Sequence, residues 1–242
     1  MNSFTHSLNP RLVSFTSPGS FAAEQYQGLR LTIDRLTKTN GPQVLAVTSP
    51  AAGEGKTLTA INLAISLASE FNQTALLVDA DLRRPSVGEY FGLQPGLGLS
   101  DYLMSNTPID ELLVHPDITG FVFLPGGTPL HNSSEALGWR RMADLVRELK
   151  TRYPTRLVVF DLPPVMHTAD VLAFAPYIDA ALLVVEEGWT ARQDVERATQ
   201  LLESTNLIGT VLNKSSEVRA PVERSRGWMR SLFRRGQDRR PR

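Results

Sequence analysis

The chain has 242 residues, enough for one large α/β domain with a sizeable buried core. Hydrophobic residues make up 42%, which argues against global disorder, and no apolar run approaches the ~20 residues of a membrane-spanning helix. The absence of Cys excludes disulfides, Cys-ligated zinc and iron–sulfur clusters. The net charge is zero, but residues 217–242 carry +6 and the remainder −6.

The N-terminal part of the chain precedes the first predicted strand. Residues 1–20 are polar and are predicted to form a flexible arm. Residues 22–36 place apolar side chains three or four positions apart, which is typical of an amphipathic helix. The domain is therefore predicted to span residues 21–214, and residues 215–242 are predicted to be a basic, mobile tail.

Within that domain, short apolar segments alternate with helical patterns. The predicted strands are Val44–Thr48, Ala75–Val78, Phe121–Leu124, Leu157–Phe160, Ala181–Val185 and Thr210–Leu212. Helices are predicted over 57–71, over 191–202, and from a capping box at Asn132 and Glu135 to about Lys150. Strands that are apolar on both sides, with helices between them, indicate an α/β fold with a mostly parallel central sheet and helices on both faces.

A glycine-containing turn follows the first predicted strand and leads into Gly-Lys-Thr and a helix, the setting of a phosphate-binding P-loop. Gly53 and Gly55 allow backbone N–H groups to curl around phosphate oxygens. Lys56 would reach the β- and γ-phosphates, and the Thr57 hydroxyl would bind Mg²⁺. The predicted nucleotide-binding residues of the loop are Gly53, Glu54, Gly55, Lys56, Thr57 and Leu58. The expected architecture is thus the three-layer sandwich of P-loop NTPases.

Carboxylates follow two of the other strands. Asp79 and Asp81 come just past the second strand, and Asp161 follows the fourth. Because ligands bind at the carboxyl ends of parallel strands, we expect all three near Lys56 and Thr57. Asp79 and Asp161 could then hold Mg²⁺ together with Thr57, and a carboxylate could accept a proton from an attacking hydroxyl. The predicted catalytic residues are Lys56, Asp79, Asp81 and Asp161; the alternative is that each Asp is a turn former or helix cap.

These motifs together resemble the bacterial tyrosine kinases of capsule and exopolysaccharide biosynthesis, over roughly residues 24–213. Ser49–Thr57 is similar to the family's phosphate loop, and Val78–Pro85 is similar to its Val-Asp-x-Asp-Leu-Arg-x-Pro motif. Residues 160–164 resemble its Asp-Thr/Ser-Pro-Pro motif, with Leu162 at the hydroxyl position. The resemblance implies ATP and Mg²⁺ as cofactors and phosphoryl transfer to tyrosine. It also implies that Asn213 contacts adenine.

The chain departs from that family in two places. Family members often end in a tyrosine cluster, but residues 217–242 contain no Tyr. Gln27 replaces the middle Arg of a Glu-x-x-Arg-x-x-Arg pattern used in ring-like self-assembly. A second hypothesis therefore stays open, in which the chain is a kinase-like ATPase that acts as a nucleotide-dependent assembly switch without tyrosine phosphorylation.

The resemblance also predicts partners and location. It implies a separate membrane adaptor of the chain-length-determinant type, and it leaves homo-oligomers open. The Arg-rich tail has two interpretations: a solvated segment, or a contact with an anionic membrane surface. Nucleic-acid binding is disfavoured because the body is acidic. We expect a cytoplasmic protein that can lie at the inner face of the plasma membrane.

Overall fold

A computed structural model describes residues 8–36, 44–70, 73–105, 107–152 and 157–216. They form a parallel six-stranded sheet with the strand order β3-β2-β4-β1-β5-β6 and helices on both faces. The strands are β1 (Val44–Thr48), β2 (Ala75–Asp79), β3 (Phe121–Leu124), β4 (Leu157–Asp161), β5 (Ala180–Glu186) and β6 (Leu207–Asn213). The predicted α/β architecture and its six strands are confirmed.

The helices differ widely in length. They are α1 (Val13–Thr16), α2 (Phe21–Leu36), α3 (Lys56–Ala68), α4 (Val87–Tyr90), α5 (Leu99–Ser105), α6 (Ile109–Leu112), α7 (Ser133–Gly138), α8 (Arg140–Arg152), α9 (Asp170–Phe174) and α10 (Arg192–Leu201). None of the helices in the described ranges is both long and apolar enough to cross a membrane.

The sheet separates two hydrophobic cores because successive strand side chains point to opposite faces. In β1, Val44 and Ala46 join the core that α7, α8 and α9 cover, and Leu45 and Val47 join the core under α3. All five residues of β1 are buried, and so are those of β2. Central strands buried on both faces form a rigid base for the loops at their carboxyl ends.

Residues 9–17 lie against α3 and differ from the flexible arm predicted over residues 1–20. Leu12 is fully buried in the α3 core. The Asn62 side chain accepts a hydrogen bond from the Ser14 N–H at 2.9 Å and donates one to the Arg11 carbonyl at 3.1 Å. The polar composition of residues 1–20 gave no indication that the side chain of Leu12 is buried in the core. The remaining boundaries of arm, domain and tail stay predictions, and residues 217–242 lie outside the described residues.

The helix predicted from Asn132 to about Lys150 is also different: it is two helices. The α7 helix ends at Gly138, Trp139 adopts an extended backbone, and α8 starts at Arg140. The Asn132 side chain makes no capping hydrogen bond, so the capping-box prediction is wrong. The break lets α7 pack against α9, while α8 contributes Met142, Leu145 and Leu149 to the core on that face of the sheet.

Candidate active site

The phosphate loop joins β1 to α3 and is shaped by two glycines. Gly53 and Gly55 have φ angles of +87° and +92°, which favour glycine. A Cβ atom at Gly55 would also lie 2.0 Å from Nδ2 of Asn213, too close for any side chain. Gly55 immediately precedes α3, so the loop opens toward the positive end of that helix. This is the geometry expected of an anion-binding turn.

Glu54 holds the loop together through its side chain. The carboxylate is fully buried; Oε2 accepts the Ala51 N–H at 2.7 Å, and Oε1 accepts the Thr190 hydroxyl. Thr190 in turn accepts the Glu186 N–H at 2.8 Å, so the loop after β5 braces the phosphate loop. Glu54 was predicted to bind nucleotide, and its side chain is committed to this bracing, which leaves its backbone for that role. No sequence motif indicated that Thr190 bonds to Glu54.

Two residues at and just after the end of β6 also donate hydrogen bonds to the phosphate loop. Asn213 Nδ2 donates to the Glu54 carbonyl at 2.8 Å. Lys214 Nζ donates to the Gly53 carbonyl at 2.9 Å and pairs with Glu186 at 2.8 Å. The adenine contact predicted for Asn213 remains a prediction, because in this structure its amide lies beneath the loop.

The predicted catalytic side chains lie together at the carboxyl edge of the sheet. Asp79 and Asp161 are direct neighbours in the register of β2 and β4. Lys56 Nζ lies 2.8 Å from Asp81 Oδ2 and 3.7 Å from Asp161 Oδ1. The Thr57 hydroxyl donates to Asp161 Oδ2 at 2.6 Å. The structure thus brings Asp79, Asp81 and Asp161 together with Lys56 and Thr57 at this edge of the sheet.

Burial and mutual charge set the protonation of this cluster. Burial, and after it the nearby Asp161 carboxylate, raise the pKa of Asp79 to about 7, against the lowering effect of the Val87 and Ser86 N–H groups and of Lys56. Burial also raises the pKa of Asp161, against the opposing effect of Lys56. Burial would lower the pKa of Lys56, but the Asp161 and Asp81 carboxylates outweigh it, and the net change is upward. Lys56 therefore stays protonated as an ammonium group.

Asp79 and Asp161 each keep one buried carboxylate oxygen without a hydrogen bond from the described residues. Asp79 Oδ2 accepts the N–H groups of Ser86 and Val87 at 2.8 and 2.9 Å, while its Oδ1 accepts none. Asp161 Oδ1 accepts none either. Buried carboxylate oxygens without donors suit a hard cation, and the Thr57 hydroxyl contacts the other oxygen of Asp161.

These residues fit Mg²⁺ bound with a nucleotide. No group of three His, Cys, Asp or Glu side chains among the described residues is placed to hold a metal by itself. Mg²⁺ in phosphoryl-transfer sites is bound through one or two carboxylates, with phosphates and waters completing its shell. Asp79 and Asp161 can supply those carboxylates, and the Thr57 hydroxyl lies against Asp161.

A cleft of about 500 Å³ opens over the cluster. It is lined by Ala52, Gly53, Gly55, Lys56, Thr57, Leu58, Asp81, Arg83, Arg84, Ser86, Tyr90, Pro163, Pro164, His167 and Thr168. Leu162, at the family's hydroxyl position, does not line it; its side chain is fully buried in the core under α7–α9. The cleft therefore combines a phosphate loop at its floor with a polar rim from two other strand ends.

Comparisons with known proteins agree with this geometry. A family model described as ParA, NUBPL iron-transfer P-loop NTPase, matches residues 41–236. Tyrosine-protein kinase YwqD of Bacillus subtilis is 29% identical over 208 residues, which cover 85% of this chain and 86% of YwqD. The succinoglycan biosynthesis transport protein ExoP of Rhizobium meliloti is 31% identical over 82% of this chain. The chain spans only 26% of the length of ExoP.

Solved structures show the same relationship. The chimerical protein CapA2B2 superposes with a TM-score of 0.79 at 28% identity, over 86% of this chain and 92% of that one. The kinase domain of the Escherichia coli tyrosine kinase ETK gives 0.76 at 26% identity, over 87% and 84%. The chain thus belongs to the ParA-type P-loop NTPases and, among them, to the bacterial tyrosine kinases of capsule and exopolysaccharide biosynthesis.

Proposed function

We propose that this chain is an ATP-dependent protein tyrosine kinase that regulates capsule or exopolysaccharide synthesis and export. The observation that carries the proposal is the cluster in which Lys56, Thr57, Asp81 and Asp161 meet at the mouth of the phosphate loop. A site that only binds nucleotide requires no more than the phosphate loop. The second carboxylate, Asp81, faces Lys56 and suits phosphoryl transfer to a hydroxyl acceptor.

Each side chain then has a separate task. Residues 53–58 bind the triphosphate, and the Lys56 ammonium offsets negative charge on the phosphoryl group during in-line transfer. Thr57 and Asp161, with Asp79 beneath, would hold Mg²⁺, which supplies charge neutralisation on the phosphates when bound. Asp81 orients the acceptor hydroxyl and takes its proton. A tyrosine hydroxyl has a pKa of about 10, so this transfer depends on close positioning as the phosphoryl bond forms.

The partners follow from the same family membership. We propose that a membrane adaptor of the chain-length-determinant type activates this chain at the inner face of the plasma membrane. Self-association remains part of this proposal, although Gln27 stands where the family's assembly pattern has Arg. The Arg-rich tail would add an electrostatic contact with anionic lipid.

The decisive experiment incubates the full chain with radiolabelled Mg²⁺–ATP, with and without the cytoplasmic end of a candidate adaptor. Alkali-stable phosphotyrosine and released phosphate are measured together. We expect phosphotyrosine to fall at least ~10²-fold in Lys56→Met and in Asp81→Asn, because each loses an interaction made during transfer. Lys150→Met is the matched control, since Lys150 pairs with Asp179 away from the cleft. Phosphate release without any phosphotyrosine would instead establish the assembly-switch ATPase.

A further inference from the structure

The rim of the cleft is basic although the body of the chain is acidic. Its lining carries Lys56, Arg83 and Arg84 against a single carboxylate, Asp81, and His167 faces them from the turn after β4. Lys56 and Asp81 neutralise each other at 2.8 Å. Arg83 faces a buried carboxylate, Asp170, so the charge left without an ion pair among the described residues at the entrance is that of Arg84.

Arg83 is held in place by a buried carboxylate. Asp170, at the start of α9, is fully buried, and its Oδ1 lies 3.5 Å from Nε of Arg83. The other oxygen, Oδ2, accepts the hydroxyl of the buried Ser133 at 2.6 Å. This chain of contacts fixes one end of the rim to the core, so the guanidinium of Arg83 stands at a defined place beside the cleft.

Arg84 is fixed only through its backbone. Its N–H donates to the Asp81 carbonyl at 3.0 Å and to Asp81 Oδ1 at 3.2 Å. Its exposed guanidinium forms no ion pair with any of the described residues. One turn thus presents both the carboxylate that would accept the tyrosine proton and a free guanidinium next to it.

The charge of this rim selects against the chain's own tail. Residues 217–242 carry nine Arg, three acidic residues and no Tyr. A segment of that composition is repelled by the unpaired Arg84 and has no tyrosine hydroxyl to offer. An acidic segment that carries a tyrosine is the acceptor whose charge is complementary to this rim.

We infer that the acceptor is a tyrosine flanked by Asp or Glu on a second protein, and that Arg84, with Arg83 beside it, determines this specificity. The inference rests on the proposed kinase function. A guanidinium can hold a carboxylate through two parallel N–H donors, which places the neighbouring tyrosine at Asp81. The competing role for the same arginines, contact with the nucleotide phosphates, is an outcome of the test below.

The first test measures binding without turnover. The full chain, saturated with Mg²⁺ and a non-hydrolysable ATP analogue, is titrated into fluorescent peptides with a Glu-Glu-Tyr-Glu or a Lys-Lys-Tyr-Lys core, and anisotropy is followed. We expect the acidic peptide to bind about fivefold to tenfold more tightly, and Arg84→Glu to abolish that preference. Arg147→Glu, an exposed change on α8, should leave it intact. Equal binding of both peptides to the wild type would overturn the inference.

The second test separates the two proposals. Analogue affinity is measured for the same variants. A loss in Arg84→Glu with unchanged peptide preference would assign the arginine to the nucleotide and overturn the inference. Phosphotyrosine formation on both peptides is then compared as kcat/KM, and it should follow the binding preference. Peptide discrimination without phosphotyrosine on either peptide would refute the kinase proposal and leave recognition of acidic segments standing.

Discussion

Gly55 is constrained both by its backbone and by its neighbour. Its φ angle of +92° disfavours any other residue, and a Cβ there would meet the Asn213 side chain at 2.0 Å. We expect Gly55→Ala to lower the free energy of unfolding by about 1–3 kcal/mol and to weaken nucleotide binding, because the loop must shift away from Asn213. Urea unfolding and nucleotide titration measure both effects.

Two variants separate strain from collision at this position. Gly53 has a similar φ of +87° but open space around its Cβ position, so Gly53→Ala reports backbone strain alone. Adding Asn213→Ala to Gly55→Ala removes the collision and should restore part of the loss. If Gly53→Ala and Gly55→Ala are equally damaging, or the double variant shows no recovery, the close approach of Asn213 has no energetic importance.

Asp79 makes stability depend on pH. Its pKa rises from 3.8 in the unfolded chain to about 7 in the fold, so the folded state holds a proton that the unfolded state has released. This stabilisation is complete below about pH 4 and is lost as pH rises through about 7. Asp79→Asn cannot lose a proton, and its amide oxygen can still accept the N–H groups of Ser86 and Val87.

The measurement is urea unfolding of both chains between pH 4 and pH 8. We expect the stability of Asp79→Asn to gain on the wild type by about 4 kcal/mol across that range, because the pKa rises by about three and each pKa unit corresponds to about 1.4 kcal/mol. Asp117→Asn, an exposed change in a surface loop, is the control. A constant difference between wild type and Asp79→Asn across the range would refute the raised pKa.

At the scale of elements, α1 is expected to contribute to stability despite its four residues. Leu12, just before it, is fully buried against α3, so Leu12→Ala should cost about 2–4 kcal/mol by opening a cavity. Leu31→Ala on α2 removes a side chain that is 49% exposed and should cost far less. Equal losses of thermal stability in Leu12→Ala and Leu31→Ala would mean that residues 9–17 do not contribute to the core and behave as the flexible arm predicted from the sequence.

The sequence predicted the strands better than the contacts between loops. Both β1 and β2 are uniformly apolar, and Lys56 and Thr57 directly follow a recognisable turn, so periodicity and motif were sufficient for them. The brace between Thr190 and Glu54 joins positions 136 residues apart. Nothing in the local pattern around Thr190 distinguishes it from an ordinary loop residue, because its role depends on how β5 is placed beside β1.

Leu162 illustrates the opposite limit. A motif comparison treats it as a lost hydroxyl at the cleft, whereas its side chain lies in the core and its N–H donates to the Val47 carbonyl at 2.9 Å. The orientation of a single side chain at a strand end depends on the sheet twist and on the helices packed there. Sequence spacing defines the neighbourhood of the site but not which side chains face it.

At the scale of the whole molecule, the separation of charge yields a test of the tail. Nine Arg lie between residues 217 and 242, whereas the remainder carries a net charge of −6. We expect the full chain to sediment with vesicles that contain anionic phospholipid, and added salt to weaken this because screening shortens the range of the attraction.

The matched variant keeps the length of the chain and changes its nine tail Arg to Gln. That protein should stay in the supernatant with anionic vesicles, and both proteins should ignore neutral ones. Continued binding of the Gln variant would assign membrane contact to the domain. Failure of the unaltered chain to bind would leave the tail as a solvated segment.

The ion pair between Lys56 and Asp81 imposes an order on the two substrates. The Lys56 ammonium and the Asp81 carboxylate bind each other at 2.8 Å, so neither group can bind a substrate until the ion pair separates. Triphosphate oxygens compete strongly for the ammonium, whereas an uncharged phenol cannot. If Asp81 is the base of the proposed kinase reaction, nucleotide has to enter first, because its arrival frees the carboxylate that the second substrate needs. The resting site therefore predicts a compulsory order of binding, with nucleotide before the tyrosine substrate.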